Sequence, residues 1–198
     1  MKYALLAISL FMGYMSNAQY KVGDVATDFD LRNIDESMFS MGNDEEANGF
    51  IVIFTCNHCP YSKLYEERII ELDNKFSPSG FPVVAINSND PKQYPEDSFS
   101  EMKKRAEEKG FPFPYLFDET QNIARAYGAS RTPHVFVLER QKGKLKVRYI
   151  GAVDDNARDA GSVTETYVSD AVEAIIKGEK VKPDFTKAIG CTIKWKKK

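Results

Sequence analysis

Gly49-Phe50-Ile51-Val52-Ile53-Phe54-Thr55-Cys56-Asn57-His58-Cys59-Pro60 is the stretch on which the fold turns. Its first seven residues form an apolar run of strand length with no polar alternation. That pattern predicts a strand buried on both faces, at the centre of a sheet. Its end sets two cysteines two residues apart at the mouth of a helical segment. From Pro60 to Phe76, Leu64, Ile69, Leu72 and Phe76 can share an inner face, with Glu66, Glu67 and Arg68 mostly outside. Two thiols at that spacing close a very small ring, so their disulfide is expected to be reactive rather than a staple. Half a zinc site is the competing reading, and no second Cys-x-x-Cys or His pair completes it.

Outward from that stretch, strands and helices alternate. Upstream, residues 20–48 are polar and turn-rich, with short strand candidates at 28–31 and 37–40. Downstream, Ser77-Pro78-Ser79-Gly80 breaks the helix and residues 81–86 form a second apolar strand. Residues 95–109 read as a helix closed by Gly110, and 115–117 as a short strand. Asp118 or Thr120 is placed to cap a helix running to Tyr127, with Gly128 past its end. Residues 135–139 and 145–152 read as a hairpin around Gln141-Lys142-Gly143-Lys144, and 163–177 as a last helix. Early alternation implies parallel pairing. The terminal hairpin and helix then give an α/β domain with a mixed central sheet flanked by helices.

The 198 residues suffice for one domain with its own core. Lys2, an apolar run over residues 3–14 and Ser16-Asn17-Ala18 read as a signal peptide, residues 1–18, with the mature chain starting near Gln19. The run is too short to serve as a membrane anchor. The expected organisation is therefore a leader (1–18), a domain (19–178) and a C-terminal tail packed on it (179–198). Net charge is −2, and one unit more negative without Lys2, which points to neither nucleic acid nor anionic membrane as a partner. The basic end, Lys194-Trp195-Lys196-Lys197-Lys198, reads as a solvated tail. Three cysteines in an exported chain let Cys56 pair with Cys59 and leave Cys191 over. Cys191 has three readings: a buried structural residue, a third redox thiol, or an intermolecular thiol.

The element order resembles the thioredoxin fold, with Cys-x-x-Cys after the first core strand and Thr132-Pro133 before the hairpin. Val83-Val84-Ala85-Ile86-Asn87 resembles the strand after the thioredoxin active-site helix. Ala126-Tyr127-Gly128-Ala129-Ser130-Arg131-Thr132-Pro133 resembles the approach to its cis-proline. Residues 91–118 resemble the extra strand–helix unit of peroxiredoxins and exported thioredoxin-like proteins. Asn57-His58-Cys59-Pro60-Tyr61, Ala85-Ile86-Asn87-Ser88-Asn89-Asp90 and Gly190-Cys191-Thr192-Ile193-Lys194-Trp195 resemble a peroxiredoxin-like branch of the redoxins. That branch is related to the alkyl hydroperoxide reductase and thiol-specific antioxidant family.

The resemblance implies an exported, periplasmic or secreted, thiol–disulfide oxidoreductase. Cys56 is expected before or at the first turn of the helix, where unpaired amides and the macrodipole favour a thiolate, with His58 stabilising it further. Cys56 is then expected to attack and Cys59 to resolve. Pro133 is expected to be cis, with an extended substrate pairing with the backbone of Thr132. No organic cofactor is required, and partners are protein thiols or disulfides, or a small thiol or peroxide. Phe50 stands where thioredoxins often carry a buried acid, six residues before the first cysteine. Ile53 stands where peroxiredoxins place Thr or Ser, three residues before the peroxidatic cysteine. Arg131 is either the thiolate-steadying arginine of peroxiredoxins or a surface residue. The alternatives are a thiol peroxidase, a thioredoxin-fold binding module without catalysis, and copper binding or delivery through Cys56, Cys59 and His134.

Overall fold

The computed structural model describes residues 19–197. The expected signal peptide, residues 1–18, lies outside the described residues. In chain order the elements are β1 (Leu31–Asn33), β2 (Met38–Phe39), β3 (Gly49–Thr55), α1 (Pro60–Phe76), β4 (Val83–Asn87), α2 (Phe99–Lys109), β5 (Tyr115–Phe117), α3 (Asn122–Tyr127), β6 (Arg131–Thr132), β7 (His134–Gln141), β8 (Lys144–Gly151), α4 (Tyr167–Ile176) and β9 (Cys191–Thr192). Seven strands make one sheet in the order β2-β1-β5-β4-β3-β7-β8. β3, β4 and β5 are parallel to one another, and the remaining pairings are antiparallel.

β3 is buried at every residue because both its faces are covered. Strand geometry sends alternate side chains to opposite sides. Ile51 and Ile53, with Val83, Ala85, Val135 and Val137, meet the apolar faces of α1, α2 and α4. Phe50, Val52 and Phe54, with Val84, Ile86 and Phe136, meet α3, the segment around Ala26 and Phe29, and Ile193 of the tail. The β7–β8 hairpin turns at Lys142 and Gly143, both at positive φ, the combination a two-residue hairpin turn requires.

Several expectations shift. The helix expected over 95–109 is interrupted: Ser98 is extended, so a short 3-10 turn, Pro95–Asp97, precedes α2. α4 starts at Tyr167 rather than at 163, after a 3-10 turn at Ala160–Ser162. α3 starts at Asn122, and the buried Asp118 carboxylate accepts the Ala124 amide (2.9 Å) and the Ser88 hydroxyl (2.9 Å). The inner face of α1 is rotated: Leu64 is 49% exposed, while Tyr65 and Glu66 are buried. Glu66 tolerates burial because Arg105 of α2 grips it with two hydrogen bonds (2.8 and 2.7 Å). Arg68 turns inward as well, lying over the Tyr65 ring and donating to the buried Asp154 (2.6 Å).

The segment before β1 and the segment after α4 both lie along β8. Gly23 and Ala26 donate to Val147 and Leu145 (both 2.8 Å), and Val147 donates to Asp24 (2.9 Å). Further along, Ile150 donates to Asp184 (3.1 Å) and accepts from Thr186 (3.0 Å). The tail then crosses the molecule, and β9 pairs antiparallel with β6. Among the described residues, no helix is long and apolar enough to cross a membrane.

Candidate active site

Three elements bring three sulfurs to Thr132. β3 ends at Thr55 and delivers Cys56. α1 begins at Pro60, whose fixed φ and missing N–H suit the first helical position, so Cys59 becomes the N-cap. Cys56 lies before the first turn, and Pro60 starts the helix one step after the second cysteine. β9 sets Cys191 opposite Thr132 in the strand register. Cys56 Sγ lies 3.3 Å from Thr132 Oγ1, 3.7 Å from His58 Nδ1 and 3.8 Å from Ser62 Oγ. The protonated Cys59 donates to the Thr132 carbonyl at 3.3 Å. The Thr132–Pro133 peptide bond is cis, and all three cysteines are free thiols.

The sulfurs differ in exposure and in charge. Cys56 is 3% exposed and Cys59 0%, whereas Cys191 is half-buried. A hydrogen bond from the Cys56 thiol, reinforced by those of Cys191 and the Ser62 amide, holds Cys59 down to about 4 against its burial. Burial pushes the Cys56 thiol up, and the neighbouring Cys59 and the Asp97 carboxylate push the same way. Burial, and then the neighbouring Cys59, raise Cys191 to about 11. Cys59 also sits at the N-terminus of α1, where the macrodipole favours a thiolate.

The buried acid of the site is Asp97, which the sequence did not single out. It is fully buried. It accepts from the amides of Asn57 (2.7 Å) and His58 (3.2 Å), from Asn89 Nδ2 (2.9 Å) and from His58 Nδ1 (2.5 Å). The last contact requires Nδ1 to carry its proton. His58 also stacks on Tyr94, with ring centroids 4.1 Å apart. Asn57 is held separately: its side chain donates to the Glu96 carbonyl (2.8 Å) and accepts from the Tyr115 hydroxyl (2.9 Å). The loop between the cysteines is thus clamped by the segment inserted between β4 and β5.

Other expected site residues lie elsewhere or are otherwise engaged. His134 is not among the residues whose ligating atoms lie in mutual reach with Cys56. It shares the sheet face of Phe136, packs against that ring and accepts the Ser130 amide on Nδ1 (3.3 Å). Burial lowers it to about 4. Among the described residues, the cluster with metal-ligating atoms in mutual reach is Cys56, His58 and Asp97, and two of these already share the 2.5 Å hydrogen bond. Arg131 donates to the Gly190 carbonyl (3.1 Å). The backbone of Thr132, expected to receive an extended substrate, is paired with Cys191 of the chain's own tail.

A mixed sheet between helices, a Cys-x-x-Cys at the end of its central strand and a cis-proline facing it define a thioredoxin-like fold. A thioredoxin-family thiol:disulfide interchange protein from Chlorobium tepidum TLS shares that fold, with a TM-score of 0.59 at 16% identity over 80% of this chain and 99% of that one. The chain belongs to the AhpC/TSA family, whose model matches residues 22–150. It is similar to the thiol-disulfide oxidoreductase ResA of Geobacillus thermodenitrificans, 25% identical over 149 residues, covering 72% of this chain and 80% of that protein. An uncharacterized conserved protein from Geobacillus kaustophilus superposes with a TM-score of 0.83 at 40% identity, over 91% of this chain and 95% of that one.

Proposed function

We propose that this protein is an exported thiol–disulfide oxidoreductase that cycles Cys56 and Cys59 between dithiol and disulfide. One observation carries the reading: two buried cysteine sulfurs at the start of a helix both lie 3.3 Å from Thr132, beside a cis-proline. That arrangement supplies a thiolate at neutral pH beside the thiol that resolves it. Cys59 attacks and Cys56 resolves, the reverse of the order expected from the sequence, because the helix N-cap favours charge on Cys59. His58, fixed by Asp97 and Tyr94, holds the loop that spaces the two sulfurs. The similarity to ResA supports the reaction class. Protein thiols and disulfides are the partners, and export rests on the leader read in residues 1–18.

The test is a redox titration with mass-spectrometric mapping. A Cys56–Cys59 disulfide should form reversibly at a potential within about −120 to −270 mV, the range of known exchange proteins. Thiols that stay reduced across that range would remove the proposal. Family membership favours peroxide reduction as the second reading. It predicts sulfenic acid at Cys59 on exposure to peroxide, at a rate far above that of free cysteine. A rate equal to that of free cysteine rejects it. Export is checked by sequencing the secreted form, which should start at or next to Gln19.

A further inference from the structure

The pair proposed to exchange disulfides is closed to a protein partner. Both sulfurs are essentially without exposed surface, and the Thr132 edge is taken by β9. Cys191 is the member of the trio with part of its surface in solvent.

Its position is built rather than incidental. Arg131 pairs with Thr192 and Thr132 with Cys191, and the Ile193 amide continues the contact to Ser130 (3.2 Å). The approach needs glycine at 190, since a Cβ there would lie 2.1 Å from the Thr132 carbonyl oxygen. Past the cysteine, Ile193 is buried, and the backbone of Lys194 donates to Asn89 (2.8 Å) and accepts from Asp90 (2.9 Å) and Gln121 (2.8 Å). Before it, a groove of about 270 Å³ lined by Tyr61, Arg131, Lys187 and Ile189 opens beside Gly190.

We propose that Cys191 is the outward-facing exchange thiol, and that electron pairs pass between a partner disulfide and the Cys56–Cys59 pair through a transient Cys59–Cys191 disulfide. The proposal rests on the oxidoreductase reading and names its point of contact with partners. With a partner disulfide R–S–S–R′, Cys191 loses its proton and attacks one sulfur. A Cys191–S–S–R bond forms, and R′S⁻ leaves and is protonated. The Cys59 thiolate then attacks Cys191 Sγ, forming Cys59–Cys191 and releasing RS⁻. Cys56 gives up its proton and attacks Cys59 Sγ, forming Cys56–Cys59 and returning Cys191 as a thiol. In total the pair, entering as the Cys56 thiol and the Cys59 thiolate, loses two electrons and one proton; the partner takes both electrons and, with that proton and one from solvent, leaves as two thiols. Burial and the neighbouring Cys59 raise the Cys191 thiol, and Lys194 and Arg131 oppose them, so Cys191 must lose its proton as it attacks.

The test uses the reduced full chain with oxidised glutathione as the partner disulfide. In Cys59→Ser, glutathione should be trapped on Cys191 and not on Cys56. In Cys56→Ser, a Cys59–Cys191 disulfide should accumulate. In Cys191→Ser and Cys191→Ala, both checked for native circular dichroism, closure of Cys56–Cys59 should slow by about tenfold or more, as expected when access is lost. Closure within about twofold of the wild-type rate in both variants, or an adduct on Cys56 in Cys59→Ser, overturns the relay alone. A wild type that accumulates glutathione on Cys191 without closing Cys56–Cys59 overturns the oxidoreductase reading itself.

Discussion

Replacing Asp97 with Asn separates the two things this carboxylate does. As an acceptor it holds the loop between the cysteines, through Asn57 N (2.7 Å), His58 N (3.2 Å), His58 Nδ1 (2.5 Å) and Asn89 Nδ2 (2.9 Å). Asparagine keeps one accepting oxygen and turns the other into a donor, which then faces the His58 and Asn89 donors. Hydrogen bonds to charged groups contribute about 1.5–3 kcal/mol each, so losing one or two costs about 1.5–6 kcal/mol of stability. As a charge it acts on the thiols in the opposite sense. The carboxylate oxygen and Cys56 Sγ lie within 4.8 Å of each other. At that distance two unit charges interact by about 3.5 kcal/mol at an effective dielectric constant near 20. That corresponds to about 2.5 pH units in a thiol titration. Removing an anion favours the thiolate, so the Cys56 titration should move down by about two units, and the disulfide should become more oxidising. The assay is the pH dependence of alkylation in a Cys59→Ser background, with and without Asp97→Asn, alongside urea unfolding. A Cys56 titration that stays within about half a unit, in a variant that remains folded, would refute the electrostatic role.

His134 offers a pH test. Its folded value of about 4 lies below the ordinary 6.5, so its contribution is fully present above pH 6.5 and is lost as pH falls toward 4. The shift amounts to about 3 kcal/mol, and His134→Gln should flatten the stability profile in that window; an unchanged acid limb contradicts it. Gly190→Ala places a Cβ against the Thr132 carbonyl. It should part β6 from β9 and speed alkylation of Cys59, read by peptide mapping; an unchanged rate would mean that the tail does not shield the pair. Arg105→Met leaves the buried Glu66 with only the longer Lys109 contact (3.7 Å). It should cost about 3 kcal/mol in urea unfolding, and Glu66→Leu in the same chain should recover most of that loss. No recovery would count against the buried pair as the source.

The central strand was legible because burial on both faces leaves a run with no polar interruption, and Gly49–Thr55 is such a run. Thr132-Pro133 was legible from its place before the hairpin. Asp97 was not. It reaches Asn57 across 40 residues of chain, and in Pro95-Glu96-Asp97-Ser98 it reads as an ordinary acid at a helix start. Glu66 misled for a related reason. Periodicity along α1 carries no sign that Arg105 of another helix waits to pair with it. The start of α1 at Pro60 was legible because proline suits the first helical position, and it makes Cys59 the cap. Cys191 is a single cysteine in an irregular tail, and only the β6–β9 register places it.

The two segments along β8 have a consequence for how this chain meets others. A sheet edge with free N–H and C=O groups is a template for a strand from another molecule. Here Gly23–Ala26 engage one end of the β8 edge, and Asp184–Thr186 the other. The opposite edge, β2, is two residues long. Neither border leaves a long ladder on which a second copy could extend the sheet. Self-association by strand addition is disfavoured at both, so encounters with partners fall to the loops and helix ends, the side of the molecule on which Cys191 emerges.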